Sequence, residues 1–156
     1  MEWAALIAWL LTAGGGFVLL AIWLARGGMQ QQREAGNRIR PPLILSHFLL
    51  AATGLVLWII YVATDSGALA WVAFAALVVV AVLGWTMFGI WARQRQRGRA
   101  GMADTAAPGS PAAGSAGGGP NPPAEQHFPV AVVGIHGLAA VTTVVLVFLA
   151  AVGVGE

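Results

Sequence analysis

The chain has 156 residues, 58% of them apolar and only 9% charged, with a net charge of +2 and a mean hydropathy of +0.79. Soluble globular domains are about a quarter charged, so these proportions exclude that class and point to a bilayer as the solvent. The lack of cysteine also excludes disulfides, iron–sulfur clusters, thiolate zinc sites, covalently attached haem and cysteine nucleophiles.

Four apolar runs follow in chain order. The first extends from Trp3 to Ala25 and ends at Arg26. It opens Met1-Glu2-Trp3, with an acid where a signal peptide carries basic residues, and it is longer than a signal's apolar stretch, so a retained helix is expected. The second, Leu43 to Thr64, follows Arg38, Arg40 and the pair Pro41-Pro42. The third runs from Ala68 to Ala92 and stops at Arg93, and the fourth from Phe128 to Val152. Each exceeds the roughly 20 residues that cross a ~30 Å hydrocarbon core as helix. Only a helix pairs every backbone group within such a segment, and none of the runs alternates as a barrel strand would. An all-α four-helix bundle, running up-down-up-down, is therefore expected over 3–25, 43–64, 68–92 and 128–152. Beyond the similar lengths of the runs, no internal repeat is evident.

The loops set the expected orientation. Arg26, Arg33, Arg38 and Arg40 lie in loop 26–42, and Arg93, Arg95, Arg97 and Arg99 in loop 93–127. Four spans put all eight on one face, opposite Glu2, Asp65 and Glu156, so both loops are expected in the cytoplasm and both termini on the other side. Arginine without lysine beside abundant Ala, Gly and Val fits a bacterial plasma-membrane protein. The pI near 10.5 then reports topology and not nucleic-acid binding. Residues 94–126, almost wholly Ala, Gly, Pro and Ser between Ala100 and Ala124, read as a disordered tether. The residues Trp3, Trp58, Tyr61 and Trp71 fit an outer interfacial belt, Trp23, Trp85 and Trp91 an inner one, and Trp9 a packing position.

Two ionisable side chains fall well inside the apolar runs, His47 and His136. Ionisable groups at that depth mark functional sites by default. His47 lies about 10 Å beyond Arg40 and His136 about 15 Å beyond Gln126, at 1.5 Å per residue. Both helices enter from the same face, which places the imidazoles at similar height, on helices diagonal across a bundle. Ala51 and Gly54 on one side, and Gly134, Gly137, Ala139 and Ala140 on the other, leave room for a flat group. The reading is one haem b, with His47 and His136 as axial ligands and propionates toward Arg38, Arg40 or Arg93. This ligation resembles that of small membrane b-type cytochromes, in which histidines on separate helices clamp the ring. The likeness rests on the two histidines and their small neighbours, and it implies an electron-transfer module.

Other readings of the same residues stand beside it. Both histidines can serve as interhelical polar glue, donating to a carbonyl or to Thr86, Thr142 or Thr143, in a cofactor-free accessory subunit of a larger membrane complex. Met87, at similar depth, makes a copper site with His47 and His136 the metal alternative. Gly14-Gly15-Gly16 implies close approach to a neighbouring helix, a membrane partner or a second copy. No phosphate-cradling loop, nucleophile elbow or paired carboxylates are present, so no hydrolytic enzyme is expected. A small transporter is the remaining reading, and nothing acidic in the spans favours it.

Overall fold

The computed structural model describes residues 1–30, 39–105 and 123–154, and every span is helical. Helix α1 covers Glu2–Ala25, α2 Pro41–Thr64, α3 Gly67–Thr105 and α4 Val130–Ala151, with a 3-10 turn at Ala124–His127 before α4. All four helices are long and apolar enough to cross a membrane.

Local chemistry explains the ends. Pro41 and Pro42 open α2 behind an extended Arg40, at positions whose N–H groups have no intrahelical acceptor. Pro129 caps α4 in the same extended conformation. At the end of α1, Gly27 takes φ +74°, and Gly28 N–H donates to Trp23 O while Gly27 N–H donates to Leu24 O. This is the paired closure that a left-handed residue permits, and α4 repeats it at Gly153 with Val154 N–H donating to Leu149 O. Asp65, at φ 52°, turns α2 directly into α3.

Helix α3 is longer than its apolar run. Arg93 to Thr105 continue it, because Arg, Gln, Ala and Met are good helix formers and no proline intervenes. Part of the expected tether is thus helix, and Ala124 to Gln126 belong to the 3-10 turn. Residues 106–122 lie outside the described residues.

Helix α2 packs most extensively on α3, and α1 on α4, with lesser contacts between α1 and α2 and between α3 and α4. The core gathers Ala5, Trp9, Trp58, Tyr61, Ala70, Ala73, Leu77, Val147 and Ala150. Small residues let the helices close around the large rings, with Trp9 and Trp58 centroids 6.3 Å apart and Trp58 and Tyr61 4.7 Å apart. Leu11, Trp85, Ile135 and Leu138 instead point outward, as apolar groups do when lipid is the solvent. Of the aromatic residues expected in interfacial belts, Trp3, Trp71 and Trp85 are exposed, whereas Trp23, Trp58, Tyr61 and Trp91 are buried.

Candidate functional site

The two intramembrane histidines meet. Their ring centroids are 6.5 Å apart with the planes at 65°, although α2 and α4 lean mainly on α3 and α1 and not on each other. His47 Nδ1 lies 3.0 Å from Val80 O on α3, and His136 Nδ1 lies 3.0 Å from Thr12 O on α1. A carbonyl only accepts, so Nδ1 carries the proton in both rings. Nδ1 is the only ring nitrogen with a hydrogen-bond partner among the described residues, and each Nε2 keeps its lone pair. A neutral imidazole held through Nδ1–H by a backbone carbonyl is the arrangement that orients a metal-ligating histidine.

Glycines make these positions possible. A Cβ on Gly84 would stand 3.3 Å from His47 Cε1, and one on Gly16 would stand 3.2 Å from His136 Cε1. A Cβ on Gly15 would likewise stand 3.4 Å from both Cβ and Nδ1 of His136. Two of the three glycines in Gly14-Gly15-Gly16 thus serve close approach within the chain, while Gly14 has nothing within 4 Å.

The site is built twice on one plan. The acceptor and the glycine are four residues apart on α1 (Thr12 and Gly16) and again on α3 (Val80 and Gly84). Trp3, Ala5, Ala8, Ala13, Gly16, Ile22 and Trp23 of α1 recur as Trp71, Ala73, Ala76, Ala81, Gly84, Ile90 and Trp91 of α3. His47, Leu49, Ala51, Thr53, Val56 and Leu57 of α2 recur as His136, Leu138, Ala140, Thr142, Val145 and Leu146 of α4. Burial follows the same register, since Ala5 matches Ala73, Trp9 matches Leu77, Trp58 matches Val147 and Tyr61 matches Ala150, all buried. Exchanging α1–α2 for α3–α4 turns each histidine's contacts into the other's. The expectation of no internal repeat is corrected accordingly, and the repeated spacing was the signal that could have found Thr12, Val80 and Gly84.

The remaining candidates fall around this pair. Met87 is half-buried on the inward stripe of α3, one turn beyond Gly84. Arg40 and Arg93 are exposed, and Arg38 lies outside the described residues. Arg40 rims an open apolar groove of about 470 Å³ between α2 and α3, lined also by Pro42, Leu43, Ser46, Leu83 and Ile90. At the same end, the buried Glu125 accepts hydrogen bonds from Ile39 N–H and Gln94 Nε2, both at 2.9 Å. Glu125 thereby fastens the 3-10 turn to the start of α2 and to α3, a polar clasp that residue type alone did not reveal. No cluster of three or more His, Cys, Asp or Glu side chains able to hold a metal occurs among the described residues. Comparison with protein-family models, curated proteins and solved structures finds no match for this chain.

Proposed function

We propose that this protein is an electron-transfer module of a bacterial plasma membrane that binds one haem b between His47 and His136. The observation that carries the reading is the paired geometry of the imidazoles. Two metal–nitrogen bonds of about 2 Å on opposite sides of an ion, plus the reach of each ring, separate ring centroids by about 6 Å, and the observed separation is 6.5 Å. Both Nδ1 protons are committed to carbonyls, so each ring has Nε2 for a metal. Haem would supply a one-electron ferric–ferrous couple, and the chain's part is to hold the two half-buried imidazoles facing each other, each fixed by a backbone carbonyl. Arg40 and Arg93, and Arg38 in the preceding loop, add positive charge at one end for the propionates. The arginine distribution supports an up-down-up-down order with both termini outside and segments 26–42 and 93–127 cytoplasmic.

A cofactor-free accessory subunit is the second reading. The Nδ1–carbonyl bonds between helices serve interhelical adhesion equally well, and the open space at Gly14 is where a membrane partner or second copy would approach α1. Absorption spectroscopy of the detergent-purified chain, expressed with haem supplied, separates the two. Soret and α bands that are lost in both His47→Ala and His136→Ala support the haem site. Their absence from the wild type overturns it, and copper found by elemental analysis of the same sample would move the assignment to His47, His136 and Met87.

A further inference from the structure

Trp91 is 7% exposed, yet its indole Nε1 has no hydrogen-bond partner among the described residues. Buried polar groups are nearly always satisfied, so this indole N–H calls for an acceptor that the described residues do not supply. The indole is held firmly, with Phe88 against its ring at 5.7 Å and the Arg95 guanidinium over it at 5.2 Å. Trp91 follows Gly84 by two helical turns, about 10 Å along the axis, toward the arginine-bearing end. Trp23 follows Gly16 by the same two turns on α1 and is 1% exposed. The two tryptophans are counterparts in the repeat, as the two histidines are.

A haem b ring bears two carboxylates on one edge, placed symmetrically about a line through its metal. A site that repeats its ligands about such a line offers two equivalent positions below them, and these positions carry Trp91 and Trp23. Resting on the haem reading above, we propose that Trp91 Nε1–H donates to one propionate of the bound ring and that Trp23 stands at the matching position for the other. The exposed Arg40 and Arg93 contribute field at the mouth, and the indole makes the direct, water-shielded contact.

The test titrates the full-length purified protein, freed of cofactor, with haemin and with its dimethyl ester, which lacks both carboxylate charges. The wild type binds haemin about tenfold more tightly than the ester, the worth of a hydrogen bond to a charged group. Trp91→Phe cuts that preference to about threefold, since Trp23 still serves the other carboxylate, while keeping the bis-histidine Soret band, and Trp85→Phe, exposed on α3, retains it in full. If Phe loosens the packing, benzothienylalanine at position 91 keeps the bicyclic shape without the N–H and is expected to behave as Trp91→Phe does. Equal affinity of the wild type for acid and ester, or full preference in the position-91 variants, overturns the proposal and leaves the haem site standing. A wild type with no Soret band in either titration removes the haem site itself, and this inference with it.

Discussion

Gly84 lies against His47 so closely that a methyl group on its Cα would stand 3.3 Å from Cε1, and Gly16 bears the same relation to His136 at 3.2 Å. Contacts this short force the ring to shift. Gly84→Ala and Gly16→Ala are expected to destabilise by similar amounts, about 1 kcal/mol each, whereas Gly14→Ala, with open space beside it, should stabilise by about 0.5–1 kcal/mol. Far-UV circular dichroism during SDS titration of the micellar protein measures all three. Unequal losses at positions 16 and 84 would argue against the repeated plan.

Removing either imidazole deletes one interhelical hydrogen bond and leaves a carbonyl still engaged in its own helix. His47→Ala and His136→Ala should therefore lower the stability of the cofactor-free protein by only about 0.6–2 kcal/mol, and haem retention on gel filtration should fall far more. A large loss of stability without any effect on haem would assign the rings to structure alone.

Thr12 Oγ1 and Thr143 Oγ1 are 3.0 Å apart, joining α1 to α4. Each hydroxyl has a single proton and also lies 2.8 Å from a carbonyl of its own helix, Ala8 O and Ala139 O respectively, so whichever hydroxyl donates across the junction gives up its intrahelical bond, and the shared bond has a modest role. Thr12→Val and Thr143→Val should each cost about 0.6 kcal/mol. The double variant should cost less than the sum, as measured in a double-mutant cycle.

Glu125 is buried between Ile39 N–H and Gln94 Nε2. Glu125→Ala leaves two donors without their acceptor, at about 1–3 kcal/mol for a buried group, while Glu125→Gln keeps an uncharged carbonyl oxygen at Oε1, where both bonds converge. Hydrogen exchange at the Ile39 amide should accelerate at least tenfold in the alanine variant and less in the glutamine variant. Unchanged exchange would mean the clasp does not close this end of the protein.

Orientation is tested with reporters fused to the C-terminus. An alkaline phosphatase fusion should be active, and a cytoplasm-dependent fluorescent fusion dark, as the arginine bias requires. Replacing Arg93, Arg95, Arg97 and Arg99 by Gln should weaken that preference.

The four spans were legible because length and continuous apolarity identify helices in a bilayer whatever their partners. The meeting of His47 and His136 was legible too, since rise per residue converts sequence distance into depth. Rotation about each helix axis was not. Trp23 and Trp91 stand near the arginine-bearing ends of their apolar runs, where a belt is expected, and only the orientation of their helix faces separates a belt residue from an interior one. The acceptors for the imidazoles are main-chain carbonyls of Thr12 and Val80, groups that every residue carries and that no residue type announces. Gly15 opposite Leu83, and Gly54 opposite Thr143, interrupt the repeat where the two halves pack differently. The added length between α3 and α4 shifts the register between copies.

The two tightest helix pairs are held together by unlike means. Asp65 and Ser66 alone separate α2 from α3, so covalent proximity holds those helices at a high effective concentration. Helices α1 and α4 stand at opposite ends of the chain, and bringing them together closes a loop that contains everything between, at greater entropic cost. The threonine hydroxyls meet at that junction, while the matching positions Val80 and Gly54 have none. What connectivity does for one half of the molecule, side-chain chemistry contributes to in the other.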